Sequence, residues 1–360
     1  MNIMSWIMAI FALIGAFDYI IGNKIGVGKE FEKGIQLLGT MMLSMVGMLV
    51  LAPLFSTLLE RLIGGMTGIL DPSVIPALLF ANDMGGASMS MAMANDVLIG
   101  KFNGLVVSSM MGVTFSFTLP YALGVVKKEQ HNGLFLGFLC GIVTIPFGCI
   151  IGGIILGVPF LSLIINLSPL IIICIIIAIG LLKMPNLCVK VFSVLGVIIK
   201  ILVVIGLAIG IFETVTGLDV VPYTATIAET GQIILNIACV LAGAFPLMNI
   251  LSRILKKPMA FFGKKIGINV KSTAGIISSV VSSATAFGMM DEMDEKGVTI
   301  NAAFSISGSF IIGSHLAFTL AVSPDCLLAV IIGKLFAGIL AIIVAEFFIC
   351  KKERSGFIQC

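Results

Sequence analysis

The sequence predicts an all-α polytopic membrane protein made of two inverted structural repeats with broken or re-entrant helical hairpins. Three observations lead there. First, 59% of the 360 residues are hydrophobic and only 11% are charged, with a mean hydropathy of +1.19; a soluble domain of this length carries about twice that charge. Second, apolar runs of about 20 residues recur from end to end, each long enough to cross a hydrocarbon core of roughly 30 Å. Third, two further apolar segments carry Gly, Ser, Thr, Asn or Asp at their centres, which a simple spanning helix does not need. The alternating pattern of a membrane β-barrel is absent.

Full helices are expected at 3–22, 36–58, 103–126, 132–157, 163–182, 189–212, 231–252, 298–322 and 326–350. The opening MNIMSWIMAIFALIGAF lacks a basic n-region and reads as a retained first helix. The two odd segments are 72–97 (DPSVIPALLFANDMGGASMSMAMAND) and 272–292 (STAGIISSVVSSATAFGMMDE). Irregular backbone at membrane depth is tolerated only against protein or a water-filled cavity.

Charge placement separates two topologies. If both odd segments are re-entrant, the basic groups Lys24, Lys29 and Lys33, Lys127 and Lys128, Lys183 and Lys190, Arg253 to Lys271, and Lys351 to Arg354 all fall on one side. The loops 157–162, 213–230 and 323–326 then lie on the other side and hold only acidic charge: Glu213, Asp219, Glu229 and Asp325. The positive-inside rule thus favours about nine full spans plus two re-entrant segments, with the N-terminus outside, over eleven spans. A weak repeat with an offset of about 197 residues places Gln36 on Gln232, Gly47 on Gly243, Asn103 on Asn301, Ser109 on Ser307 and Ser116 on Ser314. The first odd segment falls on the second, in opposite orientation, a common plan of secondary transporters. The expected organisation is a first repeat at 1–160, a connecting helix at 161–186, a second repeat at 187–350 and a cytoplasmic tail at 351–360.

Several features have plain readings. The eight cysteines show no CxxC or metal-like spacing and read as small hydrophobes in helices. Gly137–Gly141, Gly148–Gly152, Gly153–Gly157 and Gly206–Gly210 have the GxxxG spacing of close helix packing. Gly100–Lys101 and Gly333–Lys334 lack the upstream glycine of a nucleotide loop. The net charge of +3 is spread in short clusters between spans, so nucleic acid is not an expected partner. No cofactor or metal is expected. Membrane lipid is an expected partner, and a homodimer is compatible with the sequence.

Six stretches carry a resemblance: FANDMGG, SSMMGVTFSFTLPYALG, GIVTIPFGCIIGG, LAGAFPLMNILSRILKKPM, FGMMDEMDEKGVTINAAFSISGSFIIGSHLAF and IIGKLFAG. Taken in this order they resemble the EutH family of ethanolamine permeases, from about Gly34 to the end of the last helix. The resemblance implies a multi-pass protein of the bacterial cytoplasmic (inner) membrane that admits ethanolamine as a nitrogen or carbon source, and not an enzyme. Family members commonly carry Cys before DMGG, where this chain has Asn82. The resemblance supplies no ligand residues, so the candidates come from the chemistry of the cargo.

Ethanolamine is mostly an ammonium near neutral pH. It calls for a countercharge or several oxygen acceptors, and a polar partner for its hydroxyl. Asp83 is the candidate countercharge, since an intramembrane carboxylate points to function. Gly85 and Gly86 would open the helix and free carbonyls, and Asn82 would offer an amide oxygen. The alternative for Asp83 is a helix cap or a structural ion pair. In the second segment Ser282, Ser283 and Thr285 are candidates for the hydroxyl, or else they bond backbone carbonyls. Ser109, Asn301 and His315 lie in the following helices, His315 as a proton relay or a satisfied buried histidine. Lys334 lies deep in the last helix and is the expected charge partner of Asp83. A membrane enzyme acting on ethanolamine-containing lipid head groups is the alternative activity; it would need a catalytic base or metal cluster. Carrier and channel mechanisms both remain open.

Overall fold

The computed structural model describes residues 3–63 and 70–354, and these form helices with no strand among them. The expected tail at 351–360 lies outside the described residues from 355 onward.

Helix α1 (Ile3–Ile20) ends in a turn closed by Asp18, whose carboxylate accepts the amides of Ile25, Val27 and Gly28 at 2.7–2.8 Å. Gly28 is the first residue of α2 (Gly28–Met41), whose opening amides have no acceptor within the helix. A π-turn at Met42–Val46 leads into α3 (Gly47–Ile63). Next come α4 (Val74–Leu79) and α5 (Gly86–Met93), separated by an irregular stretch around a 3₁₀ turn at Asn82–Met84. The ends of this segment meet: the Asp71 carboxylate accepts the amides of Asn95 (3.0 Å) and Asp96 (3.2 Å). The segment is therefore a hairpin, not a straight rod.

From its base runs a continuous helix, α6 (Val97–Lys101) passing through π-turns into α7 (Leu119–Val125). At 29 residues it is roughly 40 Å long. Four long helices follow: α8 (His131–Ile155), α9 (Phe160–Lys183), α10 (Pro185–Thr216) and α11 (Ile227–Ile266). Helix α11 continues well past the expected end at 252, and Gly267, at φ +71°, closes it.

The second hairpin is α12 (Val270–Val281) and α13 (Ser283–Gly288), broken at an extended Ser282. Its base is closed in the same manner: Asp294 accepts the Asn269 amide at 2.9 Å and the Ser272 hydroxyl at 2.6 Å. The two bases lie at opposite ends of the 97–125 helix. Asp96 precedes that helix, whereas Lys127, just past its end, pairs with Asp291 at 2.7 Å.

One expected span is not continuous. The run 298–322 divides into α14 (Glu295–Ser307) and α15 (Ser314–Val322). Between them the Phe310 and Ile312 amides leave the helical pattern and donate to the Ser279 and Val280 carbonyls at the end of α12, at 3.0 and 2.9 Å. Phe310 takes φ +59°, and Gly313 sits where a Cβ would run into the Val281 carbonyl. The last helix is α16 (Leu327–Arg354). Seven helices among the described residues are long and apolar enough to cross a membrane. The runs 36–58 and 298–322, expected as plain spans, are those interrupted by the π-turn and by the break. Helix α8 lies between α14 and α16, with Gly137 and Gly141 against α14 and Gly148 against Gly333. Gly47 and Gly206 bring α3 and α10 into backbone contact, the packing role expected of such glycines.

Candidate functional site

The site begins with backbone that cannot stay helical. Gly85 takes φ +91°, a region a side chain would strain. A Cβ on Gly86 would run into the Phe80 and Ala81 carbonyls. The turn between them and α4 places Asp83 at the tip of the first hairpin. A cavity of about 250 Å³ lies there, where the two hairpin tips and the α14–α15 break converge. Asp83 and Met84 come from the first hairpin, Ser282 from the second, and Phe310, Ser314 and His315 from the break and the start of α15. Asp83 is the one carboxylate among its described lining residues.

Behind the carboxylate stands a chain of polar groups. Ser314 shares the cavity wall with Asp83. Nε2 of His315 lies 3.8 Å from Asp83 Oδ1. Nδ1 of the same ring lies 3.4 Å from Nζ of Lys334, which also donates to the Ser109 carbonyl. Lys334 is fully buried and His315 nearly so. With Lys334 as an ammonium, which has only donors, Nδ1 is the acceptor and the ring proton sits on Nε2, towards Asp83. The Phe310 ring stacks on His315 with centroids 4.9 Å apart, and Phe117 meets Phe310 edge-on at 5.7 Å.

The candidates from the sequence divide into groups. Asp83, Ser282 and His315 share the cavity. The expected direct pairing of Lys334 with Asp83 is replaced by a relay, because His315 stands between them. Asn82 is wholly buried beside Asp83, with no hydrogen-bond partner among the described residues on either amide atom, and the Ser283 hydroxyl is likewise buried without one among them. The Ser109 hydroxyl is turned to its own helix, donating to the Val106 carbonyl, while its carbonyl holds Lys334. Asn301 lies away from the cavity; its amide donates to the Ser272 and Gly297 carbonyls and ties α14 to the base of the second hairpin. Thr285 lines a second cavity of about 210 Å³ with Glu30, Lys33 and Ser278, which shares Phe245 and Val281 with the first.

Sequence reasoning missed Ser314, Phe310 and Phe117. The glycines and serines bracketing SGSFIIGSH were the available sign of the break. The aromatic rings carried no sign, since Phe in an apolar run reads as packing.

The model of the family described as "Ethanolamine utilisation protein, EutH" matches residues 1–348. The chain belongs to the EutH family. It is 40% identical over 359 residues to the probable ethanolamine permease EutH of Listeria monocytogenes serotype 1/2a (strain 10403S), covering 98% of this chain and 96% of that one. It is 34% identical over 395 residues to the probable ethanolamine permease EutH of Escherichia coli (strain K12), covering 99% and 97%. It is also 35% identical over 339 residues to YxeR of Bacillus subtilis (strain 168), an uncharacterized protein, covering 93% and 91%. No solved structure matches. This EutH chain is a multi-pass helical membrane protein of the ethanolamine utilisation permease family.

Proposed function

We propose that the chain carries ethanolamine across the bacterial cytoplasmic membrane as a permease or facilitator, seating the ammonium at Asp83. The observation that carries this reading is a buried carboxylate at a helix break, facing a cavity between two hairpin tips. A cation replaces lost hydration there with a charge-assisted contact, and the hydroxyls of Ser282 and Ser314 lie within the same wall for the alcohol end. Relatives named as probable ethanolamine permeases support the choice of cargo.

The first hairpin enters from outside and the second from the cytoplasm, so that their tips meet near the midplane. The bonded pairs Asp71–Asp96 and Asn269–Asp294 support an inverted repeat, since 269 − 71 and 294 − 96 both give 198. Asn103 donates to the Ser73 hydroxyl at the first base and Asn301 to the Ser272 carbonyl at the second; 301 − 103 is again 198, and the two partners differ by 199. The first repeat then occupies 1–160 and the second 187–350, with 161–186 between them. The second cavity, beside Lys33, is the cytoplasmic exit.

The test is uptake of labelled ethanolamine by proteoliposomes holding the purified protein. Saturable uptake, suppressed by unlabelled ethanolamine, is expected. Flux no greater than in protein-free liposomes would overturn the reading. Acceleration by substrate on the far side would mark a carrier, and its absence a channel.

A further inference from the structure

The cavity is larger and more aromatic than ethanolamine requires. At roughly 30 Å³ per non-hydrogen atom, as in liquid water, ethanolamine's four such atoms occupy about 120 Å³ and the seven of choline about 210 Å³. The cavity measures about 250 Å³. A primary ammonium offers three N–H donors; beside Asp83 the side chains of the wall that can accept them are the hydroxyls of Thr40, Ser282 and Ser314 and the His315 ring, among a mostly apolar lining. That lining presents the rings of Phe117, Phe245 and Phe310. Phe245 already takes a cation on its face, the Lys33 ammonium at 5.4 Å from the ring centroid. Aromatic rings beside a carboxylate suit ammonium groups whose protons are replaced by methyls; Phe310 has one face on His315 and Phe117 one on Tyr121.

We propose that this cavity accepts N-methylated amino alcohols, up to the quaternary choline class, in competition with ethanolamine. The inference rests on the reading of the Asp83 cavity as the transport site. Methyl groups would lie against the Phe117 and Phe310 rings, the positive charge would stay opposite Asp83, and the alcohol would keep the serine hydroxyls. Because Asp83 contributes charge and not only hydrogen-bond acceptors, the loss of every N–H leaves its attraction in place.

The experiment is competition against labelled ethanolamine uptake in proteoliposomes by N-methylethanolamine, N,N-dimethylethanolamine, choline and 3,3-dimethyl-1-butanol, the neutral carbon analogue of choline. The three amines should raise the apparent KM without lowering the maximal rate, while the neutral analogue should have no effect. Replacing Phe310 by Leu should raise the ratio of the choline inhibition constant to the ethanolamine KM by about twofold to thirtyfold, the span of a lost cation–π contact. Phe117→Leu tests the same contact if the first variant does not fold. The inference is overturned if choline in hundredfold excess leaves uptake unchanged while unlabelled ethanolamine suppresses it. It is equally overturned if the neutral analogue competes as well as choline, or if neither Phe variant moves the ratio. Failure of the underlying reading looks different: unlabelled ethanolamine itself would not compete, and both proposals would fall together.

Discussion

Asp83→Asn is the sharpest perturbation of the proposed site. Asn matches Asp in shape, so the hairpin tip and the cavity should persist; only the charge goes. The cost to substrate binding can be bracketed. A hydrogen bond to a charged group contributes about 1.5–3 kcal/mol and a neutral one about 0.5–1.5 kcal/mol; taking the lower end of each range, the expected loss is about 1 kcal/mol. An ion pair at about 4 Å, with the effective dielectric that suits protein sites, sets an upper bound of about 4 kcal/mol. The apparent KM for ethanolamine should therefore rise between about fivefold and a thousandfold. Saturable uptake in proteoliposomes reads this, with the melting temperature of the purified variant showing that it is folded. A folded variant with unchanged KM and rate would remove Asp83 from the transport path and leave membership of the family untouched.

Three further outcomes are expected. Lowering the external pH from about 8 to 6 reduces the neutral amine about a hundredfold, so leak through protein-free liposomes should fall by that factor while the saturable, protein-dependent component persists; parallel falls would mean that the protein passes only the neutral base. Gly86→Ala places a Cβ 2.7 Å from the Ala81 carbonyl and closer still to that of Phe80, and should cost about 1–3 kcal/mol, read as a lower melting temperature. In a variant freed of native cysteines, Asp325→Cys should react with an impermeant thiol reagent added outside cells and Lys127→Cys only after permeabilisation, because the 97–125 helix separates the two loops; the reverse pattern would refute the proposed sidedness.

The hairpins were legible because their central Gly, Ser and Asp residues are costly in a spanning helix and need a reason. Their closures were not. Asp71, Asp96, Asn269 and Asp294 look like ordinary interfacial polar residues until the chain folds each base onto itself. The α14–α15 break was hidden for the opposite reason. SGSFIIGSHLAF is apolar enough to pass as a helix, and only the carbonyls at the end of α12 give its amides another partner. Hydroxyls and amides were the least legible groups. Ser109 and Asn301 satisfy nearby backbone and Ser282 faces the cavity, a difference of rotation and position that composition does not record.

Depth alone marked Lys334 as a partner of Asp83, but the intervening imidazole changes what the pair can do. A lysine in direct contact would fill the place of the substrate ammonium. Held behind His315 and by the Ser109 carbonyl, Lys334 offsets the carboxylate from the rear and leaves its cavity face open to a cation. This arrangement makes a testable demand. Lys334→Met keeps the length of the side chain and removes the charge, so Asp83 loses its rear countercharge. Removing one partner of a buried pair costs about 3–5 kcal/mol in direct contact, and less is expected through an intervening ring. Ethanolamine, by supplying a positive charge on the open face, should then raise the melting temperature of Lys334→Met more than that of the wild type. The double variant Asp83→Asn/Lys334→Met should be less destabilised than the sum of the two single variants, since neither charge is left alone. Strict additivity, with an equal ethanolamine shift in wild type and Lys334→Met, would mean that the charges do not communicate through His315 and that Lys334 serves only to anchor α16 to Ser109.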